Sequence, residues 1–490
     1  MSGTDYLGLG TRLDTGPSDL LVEAGFRTES RQAPYLHDGL SQADLAHLLG
    51  LRDRSLLPEP AGTALLRAVL GLAGQRPEEL AYDPADGDAY NSREQMLRAQ
   101  VGSDAGWLSL GRTRREAGRV AFYLAARAAL LRLHAAVADL AEAGLEQAVA
   151  HADSWWADLT YWQPAQVSTF GHYLLSGAYE AARHLDRIER AWHRCGLVPV
   201  AAGGVAGTTI PLSRNGYLRR LGLGGTVTTT RDAMWSVDGL LDISFAATHV
   251  ATTAGRAAED LQLFATVPFG YAELDDAHCR ASVYLPQKRN PYALTVVRAG
   301  AAQVAGRAGG LVTSLHTSSA QTDNWIFNYG EVLETVDIAR QGCTLMGEVI
   351  QRARFDAERM AAMALDGFAA AADLAECLVV EAGLDYRTAH SLVARVASEA
   401  QARGDTRLGP ADHGRLAELA GVALKPMDPR SLVLSRGQAG GAAPSQIRAG
   451  ASRLRHRLGR HRAWNERSLA AARQARDRLT AEATAAADRS

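Results

Sequence analysis

Apolar residues recur along this chain mostly at helical spacing. Leu130, Leu133, Val137 and Leu140 lie three or four positions apart, which places them on one face of a helix. Similar patterns predict further long helices over residues 166–193, 232–266, 293–312 and 331–354. No stretch alternates strictly between apolar and polar residues, so we predict an all-α protein without a substantial sheet.

The predicted long helices exceed the average globular helix of about 11–12 residues. Ala and Gly are frequent over residues 293–312, and such small side chains permit neighbouring helices to approach closely. Long helices with small residues on several faces need more packing partners than one chain supplies, so we expect the chain to oligomerise. A smaller helical region follows residue 367 and is interrupted by Gly and Pro between residues 437 and 444.

Composition narrows the class of protein further. Hydrophobic residues make up 47% of the 490 residues and aromatic residues only 6%, which suits closely packed, alanine-rich helices. The net charge of −2 gives no sign of a nucleic-acid or membrane partner. We interpret an arginine-rich run at residues 453–462 as the solvated face of a C-terminal helix.

The cysteines and the N-terminus indicate the compartment. Cys195, Cys279, Cys343 and Cys377 are far apart and form no CxxC pair, which argues against a disulfide framework and against a zinc site. The first ten residues lack a basic start and a hydrophobic stretch, so we predict no secretory signal. No apolar run approaches the length of a membrane span, and we expect a soluble, cytoplasmic protein.

The segment at residues 281–291 carries the most informative chemistry. It places Ser282, Lys288 and Asn290 within nine residues, on a loop that runs into a helix. The start of a helix offers free N–H groups to a carboxylate, and Lys288 adds a full positive charge. Lys288 and Lys425 are the two lysines of a chain whose basic residues are otherwise arginine, which sets Lys288 apart from an ordinary surface lysine.

The pattern Ser-x-x-x-Pro-x-Lys-x-Asn resembles the signature loop of the fumarase/aspartase superfamily, and its Pro-Gln-Lys-x-Asn-Pro form looks most like the argininosuccinate lyase branch. Other segments match in order along nearly the whole chain: Ala33-Pro34-Tyr35 with Gly39, Gly111-Arg112-Thr113-Arg114, residues 159–166, Ala206-Gly207-Thr208-Thr209, Glu259-Asp260-Leu261, and residues 428–442. Several ordered matches at family-like spacing are more specific than one short motif.

The resemblance implies a three-domain, all-helical subunit, which we divide at residues 1–110, 111–365 and 366–490. Five long helices from each of four subunits would form a twenty-helix core in a homotetramer. Each active site would draw its segments from three different chains. The implied substrate is a small dicarboxylate, and the resemblance implies no cofactor and no metal.

The resemblance also implies roles for individual residues. Ser282 would be the base that removes a proton from the carbon next to a carboxylate. Lys288 and Asn290 would hold that carboxylate and its developing charge. Thr160 and Gln163 would position the other carboxylate end of the substrate, although a pair of helix-start caps is the simpler interpretation of both.

The chain departs from the argininosuccinate lyase pattern where the leaving nitrogen would be handled. The histidine of the second segment is Tyr161 here, and the glutamate linked to that histidine in relatives is Thr295. The first segment reads Thr113-Arg114-Arg115 where relatives carry Ser-Arg-Asn. Tyr161 is either a general acid for a basic leaving nitrogen or a packing residue.

The arginines of the first segment have two interpretations. We expect one of Arg112, Arg114 and Arg115 to bind a substrate carboxylate, because the planar guanidinium binds carboxylates through two hydrogen bonds. The alternative is a salt bridge with Glu116. In the region 321–329, Trp325 and Tyr329 either shape the pocket for the amine portion or pack at a helix end.

The sequence therefore predicts a carbon–nitrogen lyase that eliminates fumarate from an N-substituted aspartate. The changed segments favour a leaving group other than arginine, such as a hydrazine, an acylhydrazine or nitrite, in specialised metabolism. The alternatives are a true argininosuccinate lyase, a carbon–oxygen lyase, and a catalytically silent structural protein of the delta-crystallin type.

Overall fold

A computed structural model describes residues 13–320, 323–424 and 428–488, so Lys425, Gln321 and Thr322 lie outside the described residues. The N-terminal helices are α1 (Asp19–Leu21), α2 (Arg27–Ser30), α3 (Ala33–Arg52), α4 (Glu59–Ala73) and α5 (Ala89–Val101). The central helices are α6 (Arg114–Ala150), α7 (Phe170–Arg194), α8 (Arg214–Leu221), α9 (Thr230–Trp235), α10 (Asp238–Phe264), α11 (Tyr292–Leu315), α12 (Asp323–Ile326) and α13 (Tyr329–Arg352). The remaining helices are α14 (Ala357–Met363), α15 (Ala371–Ala382), α16 (Tyr386–Ala402), α17 (Pro410–Ala420), α18 (Pro429–Ser435) and α19 (Pro444–Ala487).

Strands form only two-stranded pairs in the described part of the chain. They are β1 (Trp155–Thr160) with β2 (Gln163–Thr169), β3 (Leu197–Val198) with β4 (Gly225–Thr226), β5 (Ala272–Glu273) with β8 (Arg354–Phe355), and β6 (Arg280–Ala281) with β7 (Arg289–Asn290). The all-α prediction, without a substantial sheet, is confirmed.

Five long helices, α6, α7, α10, α11 and α13, form the central bundle. Helices α6 and α13 run in the same direction, because Gln147 near the end of α6 donates to the carbonyl of Ile350 near the end of α13 (3.1 Å). At the other end of this pair, Phe122 stacks on Tyr329 with ring centroids 4.3 Å apart. The five-helix bundle agrees with the expected subunit.

The bundle has two ends that matter for function. At the hairpin end, α6, α10 and α13 finish, α7 and α11 begin, and the β1–β2 hairpin packs through Trp156 against Phe264 (5.7 Å between ring centroids). At the cap end, α6, α10 and α13 begin and the N-terminal helices cover them.

A Cβ atom on Gly39 would lie 2.5 Å from the carbonyl oxygen of Ala121, so a glycine is required where α3 crosses α6.

Two predicted helix boundaries are wrong. The helix expected from residue 166 begins at Phe170, after the β1–β2 hairpin, and Thr169 caps it by accepting from the His172 N–H (3.2 Å). The helix expected over 232–266 is broken into α9 and α10 at Ser236 and Val237. The hairpin was missed because its two-residue turn is Tyr161-Trp162, without the glycine or asparagine that usually marks such turns.

The C-terminal part of the chain contains two kinds of helix. Helices α15, α16 and α17 enclose a small core of their own that includes Leu374, Val393 and Leu416. The long α19 instead joins the main core through Ile447 and Leu458 and lies along α6 and α7. The division at residues 1–110, 111–365 and 366–490 stays a prediction.

Helix α6 is long and apolar enough to cross a membrane by length and composition alone, which the sequence analysis did not expect. However, 67% of its most apolar window is buried inside the subunit. Because α3, α7, α13 and α19 all pack on α6, its apolar character is accounted for by its central position in the bundle.

Candidate active site

The Ser282 loop is a short hairpin at the hairpin end of the bundle. Strands β6 and β7 pair Arg280 with Asn290 and Ala281 with Arg289. Above them, the Ser282 N–H donates to the Lys288 carbonyl (3.3 Å), which brings the serine and the lysine face to face across the mouth of the loop. The Asn290 amide closes the base by donating to the Arg280 carbonyl (2.9 Å).

The Ser282 hydroxyl oxygen already accepts from the loop backbone. The N–H of Leu285 lies 2.9 Å from Oγ, and the N–H of Tyr284 lies 3.3 Å from it. Two such donors stabilise a serine anion more than a neutral hydroxyl, and hydrogen bonds to the charged form lower the pKa of an acid. This arrangement supplies the loop N–H groups that a serine base requires.

Most of the Ser282 loop is open to solvent in the isolated subunit. The side chains of Val283 and Tyr284 are 107% and 88% exposed. Across residues 13–320, 323–424 and 428–488, no carboxylate forms an ion pair with Lys288, so its charge is available to a ligand.

Arg289 holds the base of the loop, a role that the sequence analysis did not assign to it. Its guanidinium donates to Asp276 (2.8 Å) and to the Leu274 carbonyl, and it lies 3.3 Å from a Glu273 oxygen. The acidic residues at 273, 275 and 276 were the sequence feature that could have indicated a partner for Arg289. Their spacing alone did not show that the segment carrying Arg289 folds back onto them.

Tyr161 and Trp162 form the turn between β1 and β2. Both have left-handed backbone conformations, with φ values of 53° and 61°, and Thr160 pairs with Gln163 on either side of them. Such a turn twists correctly for a hairpin, but it strains residues other than glycine and asparagine. Since Thr160 and Gln163 flank a hairpin turn, the helix-cap interpretation of both residues is wrong.

The side chains of the two turn residues differ in exposure: that of Trp162 packs on the subunit, and that of Tyr161 projects into solvent. The Trp162 ring packs edge-on against Phe264 and Phe269, with centroids 6.4 Å away in both cases. The Tyr161 side chain is 97% exposed, so it buries almost nothing in its own subunit. Its phenol is therefore presented outward, on strained backbone, at the same end of the bundle as the Ser282 loop.

The first-segment residues lie at the cap end of the bundle. Thr113 is the N-cap of α6 and accepts from the Glu116 N–H (3.3 Å). Arg112 is buried and donates to Asp44 (2.7 Å) and to the Ala43 carbonyl, so its donors are engaged inside the subunit. The alternative interpretation, a salt bridge with Glu116, does not describe Arg112 either, because its ion pair is with Asp44.

The neighbouring arginines are more open than Arg112. Arg114 donates to Asp88 at 3.2 Å, and its side chain is 38% exposed. Arg115 is half-buried and lies beside Arg114 and Tyr329 around a narrow surface cleft. Of the three arginines, Arg114 and Arg115 are therefore the ones placed to meet a ligand.

Glu116 is a buried carboxyl group that the sequence analysis considered only as a salt-bridge partner. Burial raises its pKa to about 7, although Arg112 and backbone N–H groups oppose that rise. Its two oxygens accept from the N–H groups of Ala201 (2.9 Å) and Ala202 (3.0 Å). Glu116 thereby ties the first segment to the loop after α7.

Trp325 and Tyr329 pack inside the subunit. Their side chains are 1% and 2% exposed, and the Arg119 guanidinium lies 4.2 Å from the centroid of the Trp325 ring. The helix-end packing interpretation of these two residues is the one that the structure supports.

The first and second segments are separated by the whole of α6. That helix has 37 residues and spans about 55 Å at 1.5 Å per residue. Thr113 precedes its first residue, and the β1–β2 hairpin follows its last turn. One subunit therefore cannot bring Arg114 and Tyr161 to a common small-molecule substrate.

Comparison with known proteins assigns this arrangement to a family. Residues 74–306 match a family described as Lyase. Argininosuccinate lyase of Methanoculleus marisnigri is 32% identical over 458 residues, covering 90% of this chain and 91% of that protein. Argininosuccinate lyase of Mycobacterium avium is 30% identical over 479 residues, covering 92% and 98%. The chain belongs to the fumarase/aspartase superfamily.

Solved structures agree with this assignment. The structure of this chain is similar to that of a variant EDDS lyase with bound fumarate, with a TM-score of 0.85 at 25% sequence identity over 96% of both chains. EDDS lyase in complex with formate gives a TM-score of 0.83 at the same identity and coverage. The lyase is thus argininosuccinate lyase-like and all-α, and it is a carbon–nitrogen lyase that releases fumarate.

Proposed function

We propose that the lyase eliminates fumarate from an N-substituted aspartate whose leaving group is not arginine. Ser282 is the base in this proposal, and Lys288 and Asn290 hold the carboxylate next to the carbon that loses its proton. The observation that carries the proposal is the Ser282 hydroxyl oxygen, which accepts from two loop N–H groups beside Lys288, a lysine that no carboxylate of the described residues pairs with.

The elimination proceeds in two steps. The Ser282 hydroxyl first loses its own proton to solvent. The resulting anion takes the proton from carbon and becomes a neutral hydroxyl, while the electron pair of the C–H bond moves onto the adjacent carboxylate, which becomes doubly negative. That charge needs prepositioned donors, and Lys288 and Asn290 supply a cation and an amide. The electron pair on the carboxylate then moves back to form the carbon–carbon double bond. At the same time the carbon–nitrogen bond breaks, and its electrons leave with the nitrogen.

The leaving nitrogen needs a proton if it is strongly basic. Tyr161 presents a phenol for that step, flanked by Thr160 and Gln163, which we propose contact the carboxylate end of the substrate. A phenol of ordinary pKa near 10 is a suitable acid for a basic amine. A hydrazine, an acylhydrazine or nitrite would depend on this proton less.

We further propose a homotetramer with active sites shared between chains. Support comes from the separation of the segments along α6 and from the face of α11 that carries Val296, Gly306 and Gly310. Val296 is 43% exposed, and a Cβ atom on either glycine would meet nothing within 4 Å in the subunit. Such a small, apolar face suits close contact with a second helix. In the assembly, Arg114 and Arg115, with Thr113 at the helix start, would face the Tyr161 turn of another chain.

The elimination as proposed uses no cofactor, and we place the protein in the cytoplasm.

The test runs the reaction backwards with the intact protein. Fumarate is supplied with arginine, hydrazine, acylhydrazines, nitrite and other amines in separate reactions, and the adduct is identified by its mass. We expect an adduct with a nitrogen compound other than arginine. Adduct formation with none of the panel would contradict the proposal.

The alternative function is argininosuccinate lyase itself. It is favoured by the names of the relatives, which are argininosuccinate lyases at about 30% identity. EDDS lyase has the same fold but is named for a substrate other than argininosuccinate. The likeness to it therefore favours a different amine. Rapid release of arginine from argininosuccinate, with no adduct from the other nitrogen compounds, would establish the alternative.

A further inference from the structure

Three side chains from three helices converge midway along the bundle, away from both of its ends. His134 lies on α6, Glu189 on α7 and His461 on α19. One Glu189 oxygen is 3.3 Å from Nε2 of His134 and 2.6 Å from Nδ1 of His461. The three donor atoms all lie within 4.8 Å of one another.

This donor set is one that a transition-metal ion prefers. Two imidazoles and one carboxylate bind Zn²⁺ in proteins, with a water molecule completing the tetrahedron. Zinc–ligand distances of about 2.0–2.2 Å place neighbouring ligand atoms roughly 3–3.5 Å apart. The separations around Glu189 are close to this range, so small side-chain shifts bring all three atoms to one ion.

The groups behind the ligands are arranged to orient them. Nε2 of His461, the nitrogen that faces away from Glu189, lies 3.8 Å from an Asp186 oxygen. Asp186 is in turn held by Arg457 at 2.5 Å. The same Nε2 accepts from Nε of Arg457 at 3.4 Å. Binding of an ion at Nδ1 would therefore require Nε2 to carry the proton and to turn from Arg457 to the Asp186 carboxylate, the usual kind of partner for a metal-bound imidazole. His134 is fixed by the Trp464 ring, with centroids 5.0 Å apart.

Burial around the cluster is uneven, which suits an ion that enters from solvent. The His134 side chain is fully buried, the His461 side chain is 10% exposed and the Glu189 side chain is 21% exposed. The buried imidazole limits the motion of the site, and the open side of Glu189 leaves room for a water ligand.

We propose that His134, Glu189 and His461 form a binding site for a Zn²⁺-class transition-metal ion that fastens α19 to α6 and α7. No zinc site is predicted from the sequence, because the cysteines form no CxxC pair. These ligands are 55 and 272 residues apart along the chain, so no spacing motif marks them. The ion stabilises the packing of the last helix and takes no part in the elimination.

The position of the cluster separates this inference from the proposed function. His134 is 16 residues before the end of α6 at Ala150, which corresponds to about 24 Å along the helix axis. The Ser282 loop and the Tyr161 turn both lie at that end. Metal binding is therefore tested by binding and stability, without an activity measurement.

The test measures zinc binding by the full chain after dialysis against a chelator. Isothermal titration with Zn²⁺, metal content by mass spectrometry, and the melting temperature are followed for the wild type and for Glu189→Gln. The Gln side chain keeps the shape and one acceptor oxygen, so it preserves a hydrogen-bonded cluster but weakens a metal ligand. His456→Ala is the matched control, because His456 lies exposed on the same helix.

We expect one Zn²⁺ per subunit in the wild type and in His456→Ala, with a higher melting temperature than without zinc. Glu189→Gln and His461→Ala should lose stoichiometric binding and the zinc-dependent rise. Asp186→Asn should weaken binding about tenfold, as changes behind a metal ligand do. Mg²⁺ should not replace Zn²⁺, because imidazole suits transition metals.

Two results would overturn the proposal. One is a wild-type protein that takes up no stoichiometric Zn²⁺. The other is a Glu189→Gln variant that is folded by circular dichroism and binds Zn²⁺ as tightly as the wild type. Either result leaves the cluster as a hydrogen-bonded link in which Glu189 accepts from both imidazoles.

Discussion

The two ends of the central bundle differ in where they place their functional side chains: Arg112 is buried at one end, and Lys288 and Tyr161 are exposed at the other. At the cap end, Arg112 is buried against Asp44, and its hydrogen bonds are made within the subunit. At the hairpin end, Lys288 and Tyr161 are exposed on short hairpins. The Arg112 charge is committed to contacts within the subunit, whereas the Lys288 charge, which no carboxylate of the described residues pairs with, remains available to a ligand.

The energetic reason for this difference is the cost of burial. A buried charge must be paired, and removing its partner is strongly destabilising. An exposed charge stays solvated at little cost until a ligand displaces the water. Substitutions in the Ser282 loop at the hairpin end should therefore change activity with little effect on folding, whereas substitution of the buried Arg112 at the cap end should change folding.

The largest expected effect comes from Ser282→Ala. Removing the base should lower the rate of fumarate formation about a thousandfold, which lies within the range for a positioned general base. Circular dichroism and the elution volume should not change, because the side chain sits on an exposed loop. Ser398→Ala, on the exposed face of α16, is the control. Normal turnover by Ser282→Ala would remove Ser282 from its role.

Arg112→Ala should have its main effect on folding. It removes the closer of the two buried arginines that pair with Asp44 and leaves Arg93 at 3.6 Å, so the free energy of unfolding should fall by about 3 kcal/mol. Urea denaturation measures this change. Arg114→Ala is the comparison, since its exposed pair with Asp88 should contribute about 1 kcal/mol or less. Equal stability losses for the two variants would contradict the contrast between these arginines.

Glu116→Gln should change how stability depends on pH. Because burial raises the folded-state pKa from 4.5 to about 7, the protonated group favours the folded state. The wild type should therefore lose stability as the pH rises from about 4.5 to about 7, by about 3 kcal/mol relative to the variant.

Urea denaturation at pH 5 and at pH 8 compares Glu116→Gln with the wild type. The exposed Glu358→Gln serves as the control for a change of charge. If the wild type and Glu116→Gln show the same slope with pH, the carboxyl group is not titrating as its burial requires.

Tyr161→Asn should have a small effect on stability, opposite in sign to that of Arg112→Ala. Asparagine adopts the left-handed conformation more readily than tyrosine, so the free energy of unfolding should rise by about 1 kcal/mol. Fumarate formation should fall about a hundredfold if the phenol is the acid. Tyr161→Phe keeps the strain and removes the hydroxyl. Full activity in both variants would assign Tyr161 no catalytic part.

Much of the architecture could be predicted from the sequence, because helical periodicity is a local property. The spacing of Leu130, Leu133, Val137 and Leu140 marks the face of α6 that lies in the core, and all four are buried. The β1–β2 hairpin escaped prediction because its turn uses two aromatic residues in a conformation that favours glycine. The strain at Trp162 is offset by its contacts with Phe264 and Phe269, which are distant in sequence.

The sequence by itself determined the family, the helical bundle and the Ser282, Lys288 and Asn290 segment, since these rest on local spacing and on residue types that lie close together in the chain. Only the tertiary structure decided which arginine is buried against Asp44, how Arg289 holds the loop, and that His134, Glu189 and His461 meet. Those outcomes depend on segments separated by tens to hundreds of residues. Burial and partnership arise there from packing, and no local pattern encodes them.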